Sequence, residues 1–150
     1  MDILREIILP CLYSFIASIA FGIQFNIRLR HIFVAGIGGA VSQLLFSVME
    51  VSGRNEILCY FAAACAISLY SEFLARRLHV PVNMYLVISI IPLVPGGYIY
   101  NAMITLVGGD TSGFWEQCAS TFAIAGAIAM GVFAVSSLVR LGRVLLKMAI

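Results

Sequence analysis

The chain has 150 residues, of which 62% are hydrophobic and only 11% charged, and its mean hydropathy is +1.05. Soluble domains carry about a quarter of charged residues, so this balance predicts one all-α integral membrane domain over residues 1–150. The net charge of +2 and the lack of a basic run exclude nucleic acid as a partner. No catalytic triad or metal-ligand constellation emerges, so we expect no enzyme, metal or cofactor.

Charged residues divide the chain into five apolar segments, each long enough to cross a bilayer as a helix at 1.5 Å per residue. We expect no cleavable signal peptide, because Asp2, Arg5 and Glu6 do not form a basic n-region. The predicted spans are about 7–25, 32–49, 57–75, 82–107 and 115–139.

Basic residues cluster at alternate connections between these spans, and the connections are short enough to predict antiparallel neighbours. By the positive-inside rule the basic connections lie in the cytoplasm, which places the N-terminus outside and the C-terminus inside. The basic residues concerned are Arg28, Arg30, Arg76, Arg77, Arg140, Arg143 and Lys147.

The fourth segment is interrupted at its middle. The thirty-two residues between Arg77 and Asp110 carry no formal charge, yet residues 92–97 read PLVPGG. Proline lacks an N–H and its ring obstructs the preceding turn, so the carbonyls of residues 89–91 are expected to lose their helical donors. Such a break is tolerated at membrane depth only against protein or a polar cavity, and broken helices form the substrate sites of many transporters.

The residues around this break are the candidate substrate-binding site. The freed carbonyls would coordinate a cation or an ammonium group, and glycine at positions 96 and 97 would permit positive φ and close approach of a ligand. A half-helix that begins near residue 98 would favour a carboxylate at its free N–H groups. The alternative is a structural kink without a binding role, whose polar groups are hydrogen-bonded by neighbouring helices. The candidate residues are Pro92, Pro95, Gly96, Gly97, Tyr98, Asn101, Asn83 and Ser89.

Glu72 is the carboxylate set within an apolar segment. An intramembrane acid can carry protons for coupled transport, which makes it a coupling candidate. Arg76 follows four residues later, and an i,i+4 ion pair near the interface explains Glu72 without any function, so we favour the pair. His31 and His79 lie in basic connections and are expected to face water or headgroups.

Small residues recur at every fourth position in two spans and predict close helix contacts. Because five spans form a small transporter body, a partner subunit or a homo-oligomer is expected. The stripes are Ala119, Ala123, Ala127 and Gly131 in the fifth span, Ser14, Ser18 and Gly22 in the first, and Gly36 and Ala40 beside Gly38 and Gly39 in the second.

The run IIPLVPGGYIY at residues 90–100, followed by Ala102 and Met103, resembles the signature of the small-subunit half of the bacterial threonine/serine exporter family. The run FGIQFN at 21–26, with Arg30 after it and the paired glycines at 38 and 39, is similar to that family's first loop and second span. The chain departs from the pattern at residues 27–28, where members often have a proline.

This resemblance implies an inner-membrane exporter built from a large and a small subunit, or from both fused in one ten-span chain. It implies threonine and serine as substrates, with succinate export in some two-subunit members. By this analogy the chain alone is incomplete and needs the larger membrane subunit. Another class stays open: a membrane assembly protein that does not transport and whose broken helix only shapes an interface.

Overall fold

The computed structural model describes residues 4–148, in which every regular element is a helix. A π-helical segment, Leu4–Ile8, leads directly into the first α-helix, and a 3-10 segment, Ile91–Leu93, follows the fourth. Asp2 lies outside the described residues, as do the side chains of Glu6 and Lys147. The α-helices are α1 Leu9–Gln24, α2 Leu29–Val51, α3 Glu56–Leu78, α4 Val82–Ile90, α5 Gly96–Val107 and α6 Thr111–Met148.

The lengths and hydropathies of these helices confirm an all-α membrane protein. Among residues 4–148, α2, α3 and α6 are each long and apolar enough to cross a bilayer. The pair formed by Val82–Leu93 and Gly96–Val107 is bent by 48° and fits either a broken span or a re-entrant loop, and this bend confirms the predicted break. The sixteen-residue α1 is shorter than a typical span, so the first of the five predicted crossings remains a prediction.

Helix α2 lies at the centre of the bundle, with α1, α3 and α4 packed around it, while α6 packs on α3 and α5. Two apolar clusters fix α4 and the 3-10 segment to this centre. Ala35 of α2 meets Tyr85 and Ile88 of α4. Farther along, Leu93 joins a cluster that also contains Phe46, Cys59 and Ala63.

Small residues mark the tightest helix contacts. The buried face of α1 carries Ser14, Ser18 and Gly22, and a Cβ added at Gly39 of α2 would collide with the Ser18 side chain. On α6, a Cβ at Gly131 would lie 2.9 Å from the Phe61 carbonyl oxygen of α3. Part of the α6 stripe therefore packs inside the chain, whereas Ala119 and Ala123 are exposed.

Within the described residues, four short turns use left-handed backbone, at Asn26, Gly53, His79 and Gly109. His79 ends α3 at φ +54° with an exposed side chain, as predicted, and Gly109 between α5 and α6 has φ +80°. At the start of α6 the Asp110 carboxylate accepts hydrogen bonds from the Gly113 N–H at 3.0 Å and the Ser112 hydroxyl at 2.7 Å. This cap takes up N–H groups that an α-helix leaves unpaired at its first turn.

Candidate functional site

The break in the fourth span is a tight turn between two half-helices. Val94 is extended, and Pro95 has φ −75° and ψ 58°. The Gly96 N–H donates to the Val94 carbonyl at 2.7 Å, so Pro95 is the centre of an inverse γ-turn. Among the described residues, Gly96 and Gly97 do not have positive φ, so that expectation is wrong. Here the proline turns the chain, and α5 begins at once at Gly96.

The carbonyls around the prolines find donors on neighbouring helices or within the turn itself. Pro92 cannot donate to Ile88, and the Ser18 hydroxyl of α1 donates to the Ile88 carbonyl at 3.4 Å instead. The single proton of the Ser42 hydroxyl of α2 is shared between the Gly39 carbonyl of the same helix, at 2.8 Å, and the Ser89 carbonyl, at 3.1 Å. The Ile91 carbonyl accepts from the Val94 N–H at 3.1 Å. These oxygens are therefore engaged within the chain, as a kink satisfied by its neighbours requires.

The predicted site residues point in different directions. Ser89 is fully buried and its hydroxyl donates to the Ala35 carbonyl of α2 at 3.1 Å. The Tyr98 hydroxyl donates to a Glu56 carboxylate oxygen of α3 at 2.6 Å. Asn101 is exposed on α5. Gly96 and Gly97 are also exposed, and a Cβ added at either would meet no atom within 4 Å. Pro92 is half-buried and Pro95 is buried.

Glu72 lies in a charged cleft at the end of the bundle where the predicted cytoplasmic connections meet, here called the basic end. It is 8% exposed. The predicted pair with Arg76 is present at 3.6 Å, and Arg143 of α6 makes a shorter contact of 2.9 Å to the same carboxylate oxygen. The cleft encloses about 430 Å³, in the size range of small-molecule sites. Its lining residues are Glu72, Val82, Asn83, Leu86, Ser136, Arg140, Arg143 and Val144.

A second cleft of about 570 Å³ continues from the first toward the break. Ser136 lines both clefts, and Pro95 lies in the wall of the second. No Cα atom of the described α4 lies within 8 Å of one in α6, so the two helices leave an open groove between them. The second cleft is almost entirely apolar, and its lining residues are Ile90, Val94, Pro95, Ala125, Ile128, Ala129, Val132, Phe133 and Ser136.

On the opposite side of α4, a cleft of about 600 Å³ lies beneath the α1–α2 connection, and Asn83 borders this cleft as well. Its wall contains His31, which is 8% exposed, with its Nδ1 2.6 Å from the Tyr85 hydroxyl. The expectation that His31 faces water or headgroups is therefore wrong. The reason is that α2 begins at Leu29, one turn earlier than the predicted span, which turns His31 toward the buried Tyr85 of α4.

Sequence reasoning missed three features: the serine donors at the break, the contact between Arg143 and Glu72, and the His31–Tyr85 pair. All join residues at least 47 positions apart, which local spacing cannot reveal. One signal was available on α6. Ser136, Arg140 and Arg143 are spaced i, i+4 and i+7, which places them on one face of a helix.

The fold and the site define a multi-pass helical membrane protein with a broken span, a class that includes many transporters. The family model described as "Threonine/Serine exporter, ThrE" matches residues 10–138. The chain therefore belongs to the threonine/serine exporter family, which is a family of transporters, as the sequence signature predicted.

One similar protein is an uncharacterized protein of Haemophilus influenzae, 25% identical over 135 residues. The match covers 85% of this chain and 46% of that relative, so the chain spans about half the relative's length. No solved structure matches the chain.

Proposed function

We propose that this chain is the smaller subunit of an inner-membrane exporter for small carboxylate-bearing metabolites, with threonine and serine as the first substrates. The observation that carries the proposal is the family match over residues 10–138, which includes the broken span. The open groove from the basic end to the break supplies a route for a solute along that span. Succinate and related dicarboxylates are the second substrate class.

The test is export from cells preloaded with each substrate. A native-host strain from which the chain is deleted should lose efflux of threonine and serine, and expression of the full chain should restore it. Gly96→Leu should abolish the restored efflux while the protein still reaches the membrane, because a large side chain would project into open space beside the break. Asn101→Ala should reduce efflux only several-fold, the value of about one lost hydrogen bond. Normal efflux from the deletion strain for all three substrates would contradict the proposal.

A larger membrane subunit is the proposed partner. A homologue about twice as long and the exposure of Ala119 and Ala123 on α6 support this. Replacing Ala119 and Ala123 together by Leu should reduce co-purification of the partner, because bulk prevents close backbone approach. Gly126 lines the same surface as Ala123, and Gly126→Leu should reduce co-purification in the same way, because an added Cβ there meets no atom of this chain within 4 Å. Unchanged co-purification in the double variant would place this face in lipid.

The proposed orientation has the N-terminus outside and the C-terminus in the cytoplasm. Cysteines placed at Arg30, Arg77 and Arg143 should react with an impermeant reagent only from the cytoplasmic side, and those at Arg54 and Gly109 only from outside. Reaction of positions 30 and 54 from the same side would contradict five crossings.

The assembly-protein alternative is favoured by one specific observation. The carbonyls at the break are paired with Ser18 and Ser42, and the cleft beside Pro95 is apolar. The export assay separates the two. An assembly protein would be needed for the amount of its partner in the membrane, whereas Gly96→Leu of a transporter subunit stops efflux with that amount unchanged.

A further inference from the structure

The charged cleft has one wall formed by a single face of α6. Its residues Ser136, Arg140 and Arg143 follow one another at i, i+4 and i+7. The same face continues past Ser136 to Val132 and Ala129 in the apolar cleft. Across from it, α4 contributes Asn83 to the first cleft and Pro95 follows α4 into the second, so a solute in the charged cleft has direct access to the groove.

The two oxygens of the Glu72 carboxylate have different hydrogen-bond surroundings. Arg143 and Arg76 both make their closest contacts to Oε2. None of the side chains that the structure describes hydrogen-bonds Oε1, and Oε1 is not sealed in the interior, since Glu72 lines the cleft. A carboxylate oxygen only accepts hydrogen bonds, so the group that fits Oε1 is a donor such as an ammonium.

Arg140 provides the positive charge in the cleft that can bind an anionic group. It lines the cleft, and its guanidinium makes no hydrogen bond or ion pair with any side chain that the structure describes. Arg143, in contrast, is already engaged by Glu72 at 2.9 Å. A planar guanidinium with five donors matches a carboxylate in bidentate geometry. The cleft thus offers an acceptor for a cation and a donor pair for an anion.

We propose that this cleft is the recognition site for a zwitterionic α-amino acid, with the ammonium on Oε1 of Glu72 and the carboxylate on Arg140. The inference rests on the proposed function and extends it to a site at the basic end, away from the break. Ser136, at the junction of the two clefts, is placed to accept the side-chain hydroxyl as the solute enters the groove. A dicarboxylate fits less well, because one of its carboxylates would approach Glu72.

The experiment measures displacement of radiolabelled L-threonine from membranes of the deletion strain that express the full chain. The competitors are L-threonine, its methyl ester, which lacks the carboxylate, N-acetyl-L-threonine, which lacks the ammonium, and succinate. In the wild type, threonine should bind about tenfold more tightly than either derivative, because each lacks one charged hydrogen-bond partner. Succinate should be the weakest competitor.

Variants of Arg140 and of Glu72 should affect binding of different ligands. Arg140→Gln should weaken threonine about tenfold, to the level of the methyl ester, and should keep the discrimination against N-acetylthreonine. Arg140→Lys should recover part of the affinity. Glu72→Gln should weaken threonine to the level of N-acetylthreonine and should keep the discrimination against the methyl ester. A general loss of structure would weaken all ligands together and would not produce this crossed pattern.

The matched control is Arg77→Gln, at the same end of the bundle. Arg77 lies over the Phe73 ring, 5.4 Å from its centroid, and does not line the cleft. Its variant should bind threonine like the wild type, whereas equal losses in both arginine variants would indicate a general effect of surface charge. Wild-type affinity in Arg140→Gln, or tighter binding of succinate than of threonine, would overturn the proposal. If cells with the wild-type chain still export threonine normally, only the recognition site is overturned and the proposed function stands.

Discussion

The two halves of the broken span are held in different ways. Helix α4 buries Tyr85, Ile88 and Ser89 against the bundle, and serines of α1 and α2 take up its last carbonyls. Helix α5 buries only Ala102 among its described residues, and its backbone lies close to that of α6 alone. The first half is therefore part of the core, and the second belongs to a hairpin with α6.

This difference shows what a break in a membrane helix requires. The polar cost falls on the carbonyl side, because proline removes the donors of the preceding turn, and that side is the one packed against hydroxyl groups. The half-helix after the break needs no such support at its carbonyls and is joined to the bundle through Tyr98 and Glu56. Motion of the span is thus expected in α5 and not in α4.

A leucine placed against α4 and one placed at the start of α5 should affect folding differently. A Cβ at Gly38 of α2 would collide with the Ser89 side chain and lie 2.9 Å from the Tyr70 ring, so Gly38→Leu should prevent α4 from seating. Overpacking of this kind costs about 3 kcal/mol or more. Gly96→Leu should leave stability unchanged, because its new side chain meets open space. Thermal unfolding in detergent compares them, and equal losses would remove the distinction between the halves.

Ser42→Ala should come next in size. The substitution removes the hydroxyl proton that the Gly39 carbonyl at 2.8 Å and the buried Ser89 carbonyl at 3.1 Å share, so the expected cost is about 1 kcal/mol. Ser52→Ala is the matched control, because the Ser52 hydroxyl bonds the Val48 carbonyl at an exposed position where water can replace it. Unfolding midpoints in detergent check this prediction. A Ser42→Ala protein as stable as Ser52→Ala would mean that the Ser89 carbonyl does not depend on the Ser42 hydroxyl.

Tyr98→Phe should have a smaller effect, confined to α5. It removes the 2.6 Å hydrogen bond to Glu56, but this glutamate is only half-buried and can regain water, so the cost is about 1 kcal/mol or less. The expected result is faster labelling of a cysteine at Gly109, at the tip of the hairpin, with an unchanged midpoint for global unfolding. Tyr100→Phe, at an exposed site, should change neither measurement.

The smallest effect concerns pH at the start of α6. Hydrogen bonds from the Gly113 N–H and the Ser112 hydroxyl lower the pKa of Asp110 from its ordinary value. A lowered pKa means that the capped, charged form is favoured in the folded state, so its contribution is present above pH about 4 and is lost as pH falls through the lowered pKa. Carboxyl NMR titration should show a midpoint below the ordinary value, and Ser112→Ala should raise it. An unchanged midpoint in that variant would contradict the cap.

The sequence was enough to predict the helical class, the approximate positions of the spans and the break at Pro92 and Pro95, because hydropathy and the missing proline N–H are local properties. It could not predict which donors would satisfy the break, since Ser18 and Ile88 are seventy residues apart. The small-residue stripe of α1 predicted a close helix contact, but it did not indicate that Ser18 would also donate a hydrogen bond.

The candidate site divides in a similar way. Glu72 and Asn83 were predicted separately, and the structure places both in one charged cleft. Arg140 and Arg143 were interpreted only as topology signals. Their position beside Glu72 depends on how α6 packs against α3, which involves Gly131 and Phe61 and has no signature in local charge spacing.

Helix α6 has a mechanical consequence. Its 38 residues form an uninterrupted rod of about 57 Å, nearly twice the thickness of a bilayer's hydrocarbon core. If α6 tilted about Gly131, where it packs closely on α3, Arg143 would lie about 18 Å from the pivot on one side and Thr111 about 30 Å on the other. A tilt of about 10° around this pivot would move Arg143 by about 3 Å, enough to open its contact with Glu72. Movement at the hairpin tip is therefore expected to be coupled through α6 to movement at the charged cleft.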